Sequence, residues 1–254
     1  MIALITDFGY DDNYAGVVKG VIKKSNPAVE VIDITHGVVS YSITNAQYML
    51  YTAVEYFPES TVFYVVVDPG VGSDRRALIG RHDGRYIVVP DNGIISSFLD
   101  DGDDVYEVNY DYFNDTSSTF HGRDVFAPVA ALLAEGVSPS ELGVKINDWI
   151  RKPFPEYSIQ HELVEGIIIH VDKFGNVVTS IPNSCVRKKE DMYCRFAVPE
   201  KSFNAVFCSN YSELKKGVPG IMHGSSGFIE IAMNMSSVAD EYTITIEERI
   251  SVLV

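Results

Sequence analysis

The chain has 254 residues, 46% hydrophobic and 22% charged, an ordinary globular mix that excludes disorder as a description of the whole. A formal net charge of -15 leaves no basic footprint, which excludes nucleic acid as a partner and mildly favours a cationic small molecule. No apolar run of about 18 residues is available to cross a membrane, so no membrane partner is expected.

No basic, apolar, small-residue signal pattern opens the chain. Ile2-Ala3-Leu4-Ile5-Thr6 reads instead as a strand that starts at once. A helical stripe follows from Tyr14 to Lys24, with Val17, Val18, Val21 and Ile22 on one face. Val29 to Ile34 is strand-like, Thr44 to Tyr56 has helical spacing, and Thr61 to Val67 is a β-branched and aromatic run bounded by Asp-Pro-Gly. Alternation of this kind predicts βαβ units in a largely parallel sheet covered by helices. Shorter strands are expected at Ala77 to Gly80 and Tyr86 to Val89, and a helix at Asp124 to Glu135.

Residues 137–160, with Pro139, Pro153 and Pro155, suit a linker. Beyond them, Leu163 to Val171, Val177 to Ile181, Tyr193 to Val198, Asn204 to Cys208, Gly227 to Ala232 and Tyr242 to Ile246 read as short strands without helical period. The expectation is an α/β domain over 1–150, a linker at 151–160, and a smaller antiparallel β-barrel-like domain over 161–254. Cys185, Cys194 and Cys208 are odd in number and lack CxxC spacing, giving neither a disulfide framework nor a zinc site. A reducing, cytoplasmic setting is expected.

Ligands of open α/β sheets sit beyond the carboxyl ends of the strands. Asp7 and Asp68 occupy that place, each followed by glycine, in Phe8-Gly9 and Pro69-Gly70-Val71-Gly72. Either could merely cap a turn; two at equivalent strand ends favour a site. His121, in Thr119-Phe120-His121-Gly122-Arg123-Asp124, precedes an apolar helix, and Arg75 and Arg76 follow the Asp68 loop. Asp172-Lys173-Phe174-Gly175-Asn176 is compatible with a plain hairpin turn. Asp-Phe-Gly at 7–9 and His-Gly-Arg-Asp at 121–124 look superficially like a protein kinase, but their order is reversed and the Gly-rich loop is missing.

These segments, together with Pro90-Asp91-Asn92-Gly93, occur in one order that resembles the S-adenosyl-L-methionine hydroxide adenosyltransferase family, relatives of the fluorinating and chlorinating enzymes. The resemblance runs from Asp7 to about Asn234. It implies hydrolysis of S-adenosyl-L-methionine to adenosine and methionine, with no metal or organic cofactor. It also implies a homotrimer with sites between the N-terminal domain of one subunit and the C-terminal domain of its neighbour. Position by position, Asp7 matches the acid that takes both ribose hydroxyls, and Asp68, Arg75 and His121 match the set around the attacking water. Asp172 and Ser225 match contacts to the methionine end. Asn176, Asn234 and the backbone of Met235 match contacts to adenine, and Tyr41 falls where an aromatic residue packs near the nucleoside. Relatives commonly carry Arg where this chain has Ser226, which touches how the methionine carboxylate is held.

Three rivals stand beside this reading. One is halogenation of the same substrate; the halogenating relatives look to have tyrosine at the position of Asp68, and an anionic Asp repels halide. Another is a non-catalytic adenosine sensor, which has no need of Asp68, Arg75 and His121 together. The third is a metal-dependent hydrolase built on Asp7, Asp11 and Asp12.

Overall fold

In the computed structural model, which describes residues 1–113, 116–187, 191–196 and 202–253, the chain divides into two units, Met1–Pro153 and Phe154–Val254. The first is built from β1 (Ile2–Thr6), α1 (Tyr14–Ser25), β2 (Val31–Thr35), α2 (Ile43–Ala53), β3 (Val62–Val66), β4 (Ala77–His82), β5 (Arg85–Pro90), β6 (Asp104–Val108), α3 (Ala127–Glu135), α4 (Pro139–Leu142) and β7 (Gly143–Ile146). Its seven-stranded sheet has the order β2-β1-β3-β5-β4-β6-β7.

The period of two in the strands decides which side chain meets which layer. Ile2 and Leu4 of β1 and Val62, Tyr64 and Val66 of β3 face Val18 and Ile22 of α1 and Val129 and Leu133 of α3. Ala3, Ile5, Phe63 and Val65 face the other way, onto Ala46 and Leu50 of α2. Every one of these strand residues is at most 2% exposed. Full burial of each large aliphatic side chain stabilises by about 1.5–3 kcal/mol, which explains why both faces must be covered.

The chain steps from β1 to β2 on one side, then crosses back to β3 on the other. That reversal opens a crevice beyond the carboxyl ends of β1 and β3. The pairs β2–β1, β1–β3 and β3–β5 are parallel, as the βαβ pattern predicts, with Leu4 opposite Tyr64. The β4–β5, β4–β6 and β6–β7 pairs are antiparallel. The switch has a local cause: Asp83 and Gly84 both hold positive φ, +48° and +73°, in the two-residue turn joining β4 to β5. A turn of that kind fits an antiparallel hairpin.

The second unit contains β8 (Tyr157–Gln160), β9 (Leu163–Val171), β10 (Val177–Pro182), β11 (Asp191–Phe196), β12 (Ser202–Phe207), β13 (Gly220–His223), β14 (Phe228–Ala232), α5 (Val238–Tyr242) and β15 (Arg249–Leu253). Strand β9 pairs with β15 along its first half and with β10 along its second. The order β10-β14-β13-β12-β11-β15-β9 therefore curls back on itself, as a barrel-like β domain should. Among the described residues, the strand pairs of this unit are antiparallel except β12–β13. Val164, Ile168, Ile181, Ile221, Ile229, Ile231 and Val252 fill its interior.

Some local expectations change. The strand expected at Tyr242 to Ile246 is instead the end of α5 and a turn, with Thr243 at φ +51° and Glu247 at φ +70°, and the last strand is β15. Residues 137–160 carry α4, β7 and β8; Ser138 opens α4 with a capping box to Glu141. Of the strand expected at Tyr193 to Val198, the last two residues lie outside the described residues.

Candidate functional site

Three strands deliver polar side chains to the crevice edge. At the end of β1, the buried Thr6 hydroxyl lies 2.6 Å from His36 Nδ1 and accepts from Phe8 N–H at 3.2 Å. His36 is fully buried, and its Nε2 lies 3.1 Å from Asp33 Oδ1, while Lys19 holds Asp33 Oδ2 at 2.8 Å. This network and the Gly9 N–H to His36 carbonyl bond of 2.7 Å set the loop that carries Asp7. Asp7 Oδ2 accepts from the Tyr41 backbone N–H at 2.9 Å, with Tyr41 in the left-handed region at φ +67°. Burial pushes the Asp7 carboxyl up; the Tyr41 N–H opposes this, and the negative charge of Asp68 adds to it. The other Asp7 oxygen remains an acceptor of the type a ribose diol needs.

At the end of β3, Asp68 and Arg75 form a close pair whose side chains are only 8% and 9% exposed. Arg75 Nε donates to both carboxylate oxygens at 3.0 Å, and Nη2 donates to Oδ2 at 2.5 Å. Gly70 N–H adds a bond to Oδ1 at 3.2 Å. The Arg75 guanidinium stacks 5.0 Å from the Phe126 ring centroid. Its remaining donors reach His121 Nδ1 at 3.0 Å through Nη2 and the Tyr110 hydroxyl at 2.9 Å through Nη1. Asp68, Arg75 and His121 are thus gathered on one guanidinium.

The backbone beneath them is shaped to match. Asn92 Nδ2 donates to the Val67 carbonyl at 2.9 Å, immediately before Asp68. The loop after Asp68 needs glycine at Gly72, where φ is +79° and a Cβ would lie 2.6 Å from the Ser118 carbonyl oxygen. His121 enters a π-type turn, Gly122–Phe126, that leads into α3. The buried Tyr64 hydroxyl donates to the Gly122 carbonyl at 3.1 Å, and a Cβ on Gly122 would stand 2.9 Å from that hydroxyl. Burial and the neighbouring Arg75 cation both push the His121 imidazole down, so it is neutral at neutral pH.

Arg76 takes no part in this cluster. Its Nε donates to Asp91 at 2.8 Å and its Nη1 to Asp148 at 3.0 Å, a clamp on the segment after β7. Asp11 and Asp12 lie exposed ahead of α1. Among the described residues no three His, Cys, Asp or Glu side chains converge as metal ligands.

The second unit holds a cavity of about 720 Å³, within the usual range of small-molecule sites. Asp172, Phe174, Asn176, Tyr211, Asn234 and Met235 line it, so four of the five site residues predicted in this unit converge there. Asp172 Oδ1 accepts from the N–H groups of Phe174 and Asn176 at 2.8 and 2.9 Å, and Oδ2 accepts from Asn176 Nδ2 at 2.9 Å. Asn234 Nδ2 is anchored on the Leu214 carbonyl at 2.9 Å. Met235 is 100% exposed in the left-handed region, φ +53°. Ser225 sits exposed on the tight turn between β13 and β14, and is not among the lining residues.

Tyr110 is the member of the Arg75 cluster that sequence reasoning missed. It follows β6, which runs parallel to β3 because two antiparallel pairings separate it from β5, so Tyr110 reaches the same edge as Asp68. Reading Asp104-Val105-Tyr106-Glu107-Val108 as a short strand would have found it.

The model of the SAM hydroxide adenosyltransferase N-terminal domain matches residues 2–143, and that of the C-terminal domain matches residues 166–251. An (R)-S-adenosyl-L-methionine hydrolase from Thermus thermophilus is 33% identical over 93% of this chain and 92% of its own length. One of the same name from Methanocaldococcus jannaschii is also 33% identical, over 93% of this chain and 89% of its own. A fluorinase from an Actinoplanes species is more distant, 23% identical over 96% of this chain and 94% of its own. A crystal structure from Thermotoga maritima superposes with a TM-score of 0.91 at 34% identity, each chain covered in full. With both domain models matched in order, and the Asp-Pro-Gly, His-Gly-Arg-Asp and Asp-Lys-Phe-Gly-Asn segments each delivering side chains to a crevice or a cavity, the chain belongs to the SAM hydroxide adenosyltransferase family.

Proposed function

We propose that this protein hydrolyses S-adenosyl-L-methionine to adenosine and L-methionine. The observation that carries this reading is the gathering of Asp68 and His121 on the Arg75 guanidinium at the switch point of an α/β sheet. A sulfonium is already a good leaving group, so no acid has to protonate it. Water attacks the ribose 5′-carbon; the new O–C5′ bond forms as the C5′–S bond breaks and its electron pair stays on sulfur as the methionine thioether. One proton leaves the attacking water through Asp68 to solvent. Holding that water in line is worth as much as about 7–11 kcal/mol of barrier. No cofactor enters this scheme.

Asp7 takes the ribose hydroxyls through the carboxylate oxygen that Tyr41 N–H does not occupy. Tyr41, 69% exposed, offers its ring to the nucleoside. Asn176 and Asn234 meet the adenine edge, where an amide supplies a donor and an acceptor together, with the Met235 backbone beside them. Asp172 and Ser225 serve the methionine end. The reading extends to a cytoplasmic homotrimer in which the first unit of one subunit and the second unit of its neighbour share each substrate. Chromatography after incubation with S-adenosyl-L-methionine tests the reaction: adenosine and methionine in equal amounts are expected, and a protein that binds adenosine without consuming the sulfonium compound is a sensor instead.

A further inference from the structure

Arginine carries only hydrogen-bond donors. A guanidinium nitrogen 3.0 Å from an imidazole nitrogen therefore meets a lone pair, not an N–H. Arg75 Nη2 stands at that distance from His121 Nδ1, so Nδ1 is the acceptor and the proton of the neutral ring is on Nε2. Resting on the proposed hydrolysis, we infer that His121 acts as a fixed Nε2–H donor to the attacking water, not as the base that deprotonates it, and that Tyr110 is the positioning residue that enforces this tautomer through Arg75.

The charges around the ring agree. Arg75 faces Nδ1 directly, while the carboxylates of Asp68 and Asp124 act on the ring from further away. A proton on Nδ1 would point into a cation. Rotating the guanidinium to relieve that clash is blocked on three sides. Nε and Nη2 are engaged with Asp68, Nη1 donates to Tyr110, and the Phe126 ring covers one face. The Tyr110 ring also packs edge-on against His121, with centroids 5.7 Å apart at 63°. Among the described residues, no hydrogen bond engages His121 Nε2. With its only lone pair spent on Arg75, His121 has no site left for the water's proton. A water that accepts from Nε2–H and donates to Asp68 keeps one lone pair for the 5′-carbon. Two hydrogen bonds thus aim the third vertex.

The protein labelled with 15N-histidine gives a direct test. The His121 signals, identified by their loss in His121→Gln, should show a pyrrole-type Nε2 and a pyridine-type Nδ1, and should keep that pattern through neutral pH. A pyrrole-type Nδ1, or a signal averaged between tautomers, overturns the inference. Either spectrum is readable whether or not the protein turns over substrate, so failure here is distinct from failure of the hydrolase reading. Tyr110→Phe should shift the His121 signals toward the averaged pattern, which a merely structural role would not do. Glutamine places an N–H near the Nε2 position and asparagine does not. His121→Asn should therefore lose at least tenfold more kcat than His121→Gln; equal losses would restore the base.

Discussion

The two units carry an aspartate each at the end of a strand, followed within three residues by glycine, and the two have opposite fates. Asp68, after β3, shares its oxygens between the Gly70 N–H and a cation from seven residues downstream, which in turn holds an imidazole from another part of the chain. Asp172, after β9, spends its oxygens on the N–H groups of its own loop and on the Asn176 amide. The first carboxylate is coupled to distant elements and the second to its own turn. Residue type and local spacing do not separate them; what separates them is the partner that the sheet brings within 3 Å. On the proposed mechanism the carboxylate coupled to Arg75 and His121 serves the chemistry, whereas the one tied to its own turn shapes a surface for the ligand.

The largest effect is expected at the first carboxylate. On the proposed mechanism Asp68→Ala removes the acceptor of the water's proton and should lower kcat by about 10²–10⁴-fold, measured as adenosine release. It also leaves the Arg75 cation, 9% exposed, without its partner, a loss on the order of 3–5 kcal/mol that thermal unfolding should register. Adenosine affinity should change far less. If turnover survives, the contrast between the two aspartates dissolves.

The matching change in the second unit should separate binding from chemistry. Asp172→Ala frees the Asn176 amide and the N–H groups of Phe174 and Asn176, and should weaken adenosine binding by about tenfold, the equivalent of one or two hydrogen bonds. In calorimetry Kd rises, while kcat at saturating substrate stays within a few-fold. A collapse of kcat with Kd unchanged would mean that this turn also does chemistry.

A smaller effect is expected from a residue that touches neither ligand nor water. Asn92→Ala removes the donor to the Val67 carbonyl and should cost about 1–3 kcal/mol of stability by leaving a shielded carbonyl unpaired. Because that carbonyl precedes Asp68, kcat should fall a few-fold alongside the melting temperature. Lost stability with unaltered kcat would show that the Asp68 loop holds its position without Asn92.

The contrast also sets how much was legible in advance. The βαβ rhythm of β1 to β3 is written in buried runs and amphipathic stripes, so the switch point and its two acids could be read directly. Asp68, Arg75 and His121 were legible as ordered motifs, but their mutual distance was not, since it depends on sheet order and on the π-type turn after His121. Tyr110 was hidden because β6 is five residues of mixed polarity, too short to declare a period. The antiparallel half of the sheet turns on Asp83-Gly84, whose signature is two residues long. In the second unit the barrel-like class was legible from many short strands. The Tyr242 to Ile246 stretch misled because alternating Tyr, Thr and Ile fit a strand, while a left-handed Thr243 ends α5 there.

The smallest effect concerns Asp7, whose environment links it to Asp68 across the crevice. Burial raises its pKa, the Tyr41 N–H opposes that, and the Asp68 charge adds to it. An acid with a raised folded-state pKa takes up its proton earlier as pH falls, and a protonated carboxyl no longer accepts from two ribose hydroxyls at once. Adenosine affinity should therefore begin to decline at a higher pH than an ordinary aspartate allows, with affinity fully present above the raised value and lost below it. Asp7→Asn should flatten the profile at a uniformly weaker affinity. Asp68→Ala removes the like charge and should move the decline toward lower pH while leaving the plateau where it was. A decline that stays put in Asp68→Ala would mean that burial alone sets the Asp7 titration, and that the two carboxylates at the crevice do not sense each other.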